Sequence, residues 1–152
     1  DTEPTSSVFT VNADQMNNGD GDDIIAYLFA SVNGFSKVGS YDGNGNAQGP
    51  FVYCGFKPAY ILLKRVETTP NAYWNIFDTA RNPYNSAATA DFKRLLAHTN
   101  GDEVTNHANY TPPDIVSNGF KFRHGGSDKN YLNKKFIFVA FAESPFKYSN
   151  AR

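Results

Sequence analysis

Aromatic rings beside hydrogen-bonding side chains are the feature of this sequence that points most directly to chemistry. Four such rings stand in or beside turn-rich stretches, next to arginine and asparagine side chains. A sugar offers its apolar face to an aromatic ring and its hydroxyl groups to planar amide, carboxylate or guanidinium groups. Taken singly, each ring also fits a place in the core or in an interface. Together they are the candidate glycan-binding residues: Trp74, Arg81, Tyr84, Asn85, Tyr110 and Tyr131.

Cysteine and histidine offer little for catalysis. The one cysteine, Cys54, excludes an intrachain disulfide and a cysteine-cluster zinc site, and its neighbours predict a small buried hydrophobic residue. The three histidines, His98, His107 and His124, lie in polar stretches without a recognisable catalytic or metal-binding spacing. We therefore predict three surface histidines, no catalytic residue and no enzymatic activity.

Two acidic stretches have the residue types of cation sites. Residues 42–46 carry oxygen ligands at alternate positions, as calcium loops do. An EF-hand loop would need Gly and Glu where this chain has Ala47 and Tyr53. Alternation of Gly with Asp or Asn is also typical of a tight β connection, and residues 20–23 are typical of a solvated acidic turn. A bound cation is the alternative at both places, but the pattern favours turns, so we predict no metal and no cofactor.

Charge and hydropathy exclude two classes of partner. The chain has 14 Lys and Arg against 15 Asp and Glu, a formal charge of −1, which is too balanced for a phosphate-backbone-binding surface. No apolar run exceeds seven residues, against the roughly 20 that span a bilayer. We predict neither nucleic-acid binding nor membrane insertion. The first residues lack an initiating Met and a signal-peptide pattern, as expected of a fragment of a longer chain.

Composition and the spacing of turn-forming residues predict an all-β protein. The chain has 13 Phe and 9 Tyr, which favour strands, and 12 Gly, 8 Pro and 17 Asn, which favour turns. The segments between turns are mostly too short for helices, and together they predict an antiparallel β-sandwich. One segment, 87–97, has helical spacing, and a strand over 94–99 is the alternative. The predicted strands are 24–32, 35–41, 51–56, 59–66, 73–79, 114–116, 120–123 and 135–143.

Two of these strands are apolar at both parities, namely residues 24–30 and 136–142. Such a strand needs cover on both faces, either in the middle of the sandwich or against another chain. Each also follows a short predicted strand, at 9–11 and 120–122, and a polar loop. Chance similarity between two hairpins is one explanation. The other is a repeat of roughly 110 residues, with residues 1–23 ending a preceding copy and residues 24–152 forming one module.

Several blocks of the chain resemble a module of tailed-bacteriophage tail-fibre proteins. The longest runs without a gap through GSYDGNG at 39–45 and GPFVYCGFKPAYILLKR at 49–65. IFDTARNPYN at 76–85 and SNGFK at 117–121 are similar to later blocks of that module, and VAFAESPFKYSNAR at 139–152 is similar to the C-terminus of such fibres. The resemblance covers most of the chain from residue 24. Its departures lie in the loops 14–23, 87–111 and 123–134, which leaves the ligand open.

The resemblance implies a concanavalin-like or lectin-like jelly roll at the receptor-binding tip of a homotrimeric fibre, part of the extracellular virion. We therefore expect a module that adsorbs to a host surface polysaccharide, either capsule or lipopolysaccharide. One alternative is a structural module that trimerises or caps the fibre, and a more remote one is a capsule depolymerase, for which no carboxylate motif is recognisable. The residues expected at the trimer interface are Phe136, Phe138, Phe146 and Tyr148.

Overall fold

Antiparallel strands make up the regular structure of this chain. The computed structural model describes residues 2–11, 13, 18–67, 72–85, 93–105, 111–126 and 128–146. Within these ranges there are nine strands, and no helix there is long and apolar enough to cross a bilayer. The strands are β1 (Ser36–Asp42), β2 (Phe51–Tyr53), β3 (Pro58–Arg65), β4 (Asn75–Asp78), β5 (Lys93–Leu96), β6 (Val104–Thr105), β7 (Asp114–Val116), β8 (Gly119–Lys121) and β9 (Lys135–Ala142).

Two sheets form a β-sandwich, as the composition predicts. The larger sheet has the strand order β1-β9-β3-β4-β5-β6, and the smaller one has the order β2-β8-β7. All the pairings are antiparallel. The longest ladders join β9 to β1, with Ser36 opposite Phe141, and β9 to β3, with Leu62 opposite Val139. Strand β9, the last strand along the chain, is therefore an interior strand of this sheet with a partner on each side.

Aromatic rings fill the space between the sheets. Tyr41 of β1 stacks on Phe136 of β9 at 5.0 Å between ring centroids and on Phe122 at 5.1 Å. Phe120 of the smaller sheet meets Phe138 edge to face at 5.4 Å. These rings are almost fully buried, so burial of apolar area is the main stabilising contribution of the core.

Strand β9 alternates between two environments, which corrects part of the predicted interface. Phe136 and Phe138 are 0% and 4% exposed inside this chain's own core, so neither side chain is available to a second chain. The opposite face carries Ile137, 40% exposed, and the partly buried Val139. Apolar residues at both parities therefore reflect an interior strand, β9, whose outer face is apolar as well as its core face.

The apolar segment at 24–32 forms no strand, contrary to the prediction. A tight turn closes at Val32 and Ser36, whose backbones exchange hydrogen bonds. One residue earlier, the Ser31 hydroxyl accepts from Val38 N and donates to Val38 O, at 2.9 and 3.3 Å. Because this side chain occupies the backbone groups of the β1 edge, the preceding residues cannot continue the ladder. They contact the outer face of the larger sheet instead, with Phe29 at 6.0 Å from Phe141.

Smaller differences concern three other segments. Residues 9–11 form no strand, so neither half of the predicted N-terminal repeat unit has the expected structure. In the segment for which helix and strand were both open, residues 93–96 are strand β5, while 87–92 lie outside the described residues. Strand β6 is so short, at two residues, that no periodicity could have predicted it.

Candidate functional site

A polar pocket lies at the end of the larger sheet where β3 begins and β4 and β9 end. Backbone hydrogen bonds from Thr79 N to Ala59 O and from Glu143 N to Lys57 O, each 2.9 Å, hold these strand ends together. The pocket has a volume of about 310 Å³, at the lower end of the range for small-molecule sites. Its lining is Lys57, Thr79, Asn82, Pro83, Asn85, Ile115 and Glu143.

The loop after β4 is fixed to both sheets by two asparagine side chains. The Asn82 amide exchanges hydrogen bonds with Lys93 N and O, at 3.1 and 2.7 Å. The Asn85 amide does the same with Ile115 N and O, both at 2.8 Å. Each amide thus replaces one rung of a β ladder. A loop tied down at two points presents its side chains with little loss of conformational entropy on binding.

Arg81 stiffens the same loop through carboxylates. Its Nη1 pairs with Asp78 Oδ2, and its backbone N–H donates to Asp78 Oδ1 at 2.8 Å. Its Nε lies 2.8 Å from Glu103 Oε2. About a third of the side chain is exposed, so the guanidinium holds two acidic residues in place at the surface.

Tyr84 lies in the chain between two lining residues, Pro83 and Asn85, and is 82% exposed. A ring that stands free on an anchored loop offers an apolar platform for one face of a sugar. The adjoining pocket offers the Thr79 hydroxyl and the Lys57–Glu143 ion pair, 2.9 Å long, as hydrogen-bonding groups. The anchored loop therefore carries an exposed aromatic ring next in the chain to residues that line a pocket with hydrogen-bonding groups.

Lys57, Thr79 and Glu143 are site residues that the sequence reasoning missed. Lys57 immediately precedes β3, and Glu143 immediately follows β9. The signal was available in principle, because antiparallel pairing of two adjacent predicted strands sets the start of one beside the end of the other. Using it requires knowing that β3 and β9 are neighbours, which the sequence does not state.

The other predicted glycan-binding residues lie elsewhere. Trp74 precedes β4, with Lys64 Nζ 5.7 Å from its ring centroid. Tyr131 is 46% exposed, and the Arg65 guanidinium lies 5.6 Å from its ring. Tyr110 lies outside the described residues. The structure thus brings together Arg81, Tyr84 and Asn85 and separates them from Trp74 and Tyr131.

An apolar groove of about 700 Å³ crosses the outer face of the larger sheet. Strands β1, β3 and β9 supply Val38, Leu62 and Ile137, and Trp74 also lines it. Tyr27 and Phe29, from the segment that forms no strand, complete the groove. It has almost no charged lining, so its chemistry suits an apolar protein segment rather than a sugar.

A charged cluster is buried beside the core. Arg94 Nη1 donates to Asn75 Oδ1 at 2.5 Å and pairs with Asp128 Oδ2, and Lys129 Nζ lies 3.3 Å from Asp128 Oδ1. All four residues are at most 3% exposed. Burial lowers the pKa of Lys129 to about 8, although Asp128 acts in the opposite direction. Because this cluster is closed to solvent, its role is to join β4 and β5 to the loop before β9.

Cys54 and the glycine-rich loop at 42–46 have structural roles. Cys54 is buried as predicted, and burial raises the pKa of its thiol to about 11, which disfavours the nucleophilic thiolate. Asn44 Oδ1 and Asn46 Oδ1 accept from backbone N–H groups two residues on, so these side chains bond within the loop. In the part of the chain that the structure describes, no three His, Cys, Asp or Glu side chains are grouped to hold a metal.

Comparison with known proteins gives one family. The model of a domain of unknown function, DUF7483, matches residues 1–145, all but the last seven residues of the chain. No curated protein and no solved structure matches the sequence.

Proposed function

We propose that this chain, which belongs to the DUF7483 family, is the receptor-binding module at the tip of a phage tail fibre, where a homotrimer adsorbs to a host surface polysaccharide. The observation that carries the proposal is the exposed Tyr84 on an anchored loop beside the polar pocket. The sequence resemblance of residues 39–65 and 76–85 to phage tail-fibre modules supports the same proposed function. The concanavalin-like jelly roll implied by that resemblance is part of the proposal.

Avidity is the physical reason for such an assembly. A pocket of about 310 Å³ holds only one or two sugar units, so each site alone binds weakly. Three sites on one fibre, and several fibres on one particle, convert weak contacts into stable adsorption to a repeating polymer. No covalent step is needed, and the proposed module is not an enzyme.

A glycan array tests this function. Bacterial capsular and lipopolysaccharide O-antigen polysaccharides are printed, and the purified protein is expected to bind a subset of them. Tyr84→Ala should weaken that binding up to about tenfold, because removing the stacking platform costs about 0.5–1.5 kcal/mol. Tyr53→Ala is the matched control, since Tyr53 is an exposed tyrosine of the smaller sheet, and it should bind normally.

The runner-up is a structural module that trimerises or caps the fibre. The apolar groove on the larger sheet favours it, because a surface of that kind suits subunit contacts. A stable trimer that binds none of the printed polysaccharides would select this alternative. Shortened products after incubation with a polysaccharide would instead reveal a depolymerase.

A further inference from the structure

Residues 24–29, which we call the arm, expose five large apolar side chains to solvent. Ile25, Tyr27 and Leu28 are 75%, 79% and 76% exposed, and Ile24 and Phe29 are about half exposed. At about 150–250 Å² for a large aromatic side chain, these five residues expose on the order of 500 Å². An apolar patch of that size is as large as the largest one on a typical monomer, and such patches are often functional.

The arm and the groove form one surface. Tyr27 and Phe29 of the arm line the groove, whereas Ile25 and Leu28 are not among its lining residues. The arm therefore carries exposed apolar side chains next in the chain to residues that line an apolar depression large enough to receive them. A projection and a matching depression on every chain allow identical chains to contact one another in a closed assembly.

We infer that the outer face of the larger sheet docks a second copy of this chain, with Ile25 and Leu28 of one arm seated in the groove of the neighbour. The five arm residues, together with Val38 and Ile137 of the groove, which are 38% and 40% exposed, supply most of the roughly 800 Å² per partner of a standard interface. A small apolar ligand would fill the groove but leave Ile25 and Leu28 in water. A second copy covers both. This inference names the surface through which the chains of the proposed homotrimer would contact one another, and it rests on the proposed function only for the number of chains.

The test compares two double variants by size-exclusion chromatography with light scattering at about 10 µM. The wild type should give a multiple of 16.8 kDa. Ile25→Asp/Leu28→Asp should elute at 16.8 kDa with an unchanged circular dichroism spectrum, since both side chains are exposed within their own chain. Tyr53→Asp/Val66→Asp, two exposed apolar residues outside the arm and groove, should keep the wild-type mass.

A cross-linking experiment locates the contact. Leu28→p-benzoylphenylalanine is irradiated in a mixture of ¹⁴N and ¹⁵N chains, and cross-links of mixed isotope to the peptide around Ile137 are expected. A monomeric wild type, an arm variant that stays assembled, or cross-links confined to one isotope would each overturn the inference. A dimer that the arm variant dissociates supports it while contradicting the trimer, so the two proposals fail separately. A monomer would leave this face to a different protein or to a small apolar ligand.

Discussion

Asparagine acts here through its hydrogen bonds more than through its backbone freedom. The 17 Asn residues predicted turns because Asn tolerates positive φ. Among the described residues, Asn133 is the asparagine with positive φ, at 56°. The side chains of Asn82 and Asn85 take the place of backbone partners for two strands. The Asn130 amide donates to Asn44 Oδ1, Asn46 O and His124 O. The positions of the loops were therefore predictable, but the partners that fix them were not.

The lowered pKa of Lys129 predicts that the protein becomes more stable as the pH rises. Its pKa is lowered from 10.5 to about 8 in the folded protein, so between these values the unfolded chain binds more protons. The free energy of unfolding must then increase with pH over that range. Cys54 acts oppositely from about pH 9, because its pKa is raised to about 11 and the folded state keeps a proton that the unfolded chain loses. The clearest window is therefore pH 8 to 9.

Urea denaturation at pH 7 and pH 9 measures this effect. The wild type should gain about 1 kcal/mol, since a pH unit of linked titration is worth at most about 1.4 kcal/mol. Lys129→Met should lack the gain, while Asp128 keeps its pairing with Arg94. An equal gain in the variant would show that another group is responsible.

Strand formation depends on available partners as well as on apolar pattern. Residues 24–30 and 136–142 have nearly the same pattern, yet only the second segment forms a strand. Strand β9 finds backbone partners on both sides, in β1 and β3. The first segment meets a β1 edge whose Val38 groups are bonded to Ser31. Pattern alone could predict that both segments are apolar surfaces but not which of them is paired.

Strand β8, the middle of the smaller sheet, requires glycine at position 119. A Cβ there would stand 2.1 Å from Val52 O, a backbone atom of β2 that cannot move aside without disturbing the ladder. Gly119→Ala should destabilise the protein by about 1–3 kcal/mol. Differential scanning calorimetry should show a fall of several degrees in Tm, at roughly 2–4 °C per kcal/mol.

Gly101→Ala is the matched control for that substitution. Gly101 is exposed, and an added Cβ would meet only Thr99 Oγ1, at 3.6 Å. Its Tm should stay within a degree or two of the wild type. A Gly119→Ala protein as stable as Gly101→Ala would show that β2 and β8 are not paired in this register.

For the whole molecule, the sandwich was predictable and the grouping of its loops was not. Strands β1, β3, β7 and β9 lie within a residue or so of their predicted bounds because turn residues mark their ends. The six predicted glycan-binding residues share a chemistry, but they lie on different loops. Which loops meet at one end depends on strand order, a long-range property. Of the five that the structure describes, Arg81, Tyr84 and Asn85 come together because they share a loop, while Trp74 and Tyr131 lie elsewhere.

The tail after β9 contacts its own chain. Phe146 stacks on Phe35 at 5.6 Å, and its backbone N–H donates to Gly34 O at 2.9 Å. The Phe146 ring is still 60% exposed, so a contact with a neighbouring chain stays a prediction, and Tyr148 lies outside the described residues. Phe35 also meets Phe141, which contacts Phe29 of the arm, so the tail and the arm belong to one cluster of aromatic rings.

Isothermal titration of the assembled protein with an oligosaccharide from a polysaccharide bound on the array tests the central claim most directly. We predict one weak site per chain, with Kd in the range of about 0.1–1 mM, or about −5 kcal/mol. Tyr84→Ala should raise Kd up to about tenfold, and Tyr53→Ala should leave it unchanged. Saturable binding that survives Tyr84→Ala at full affinity would contradict the proposed site, and the absence of any saturable binding would contradict the proposed function.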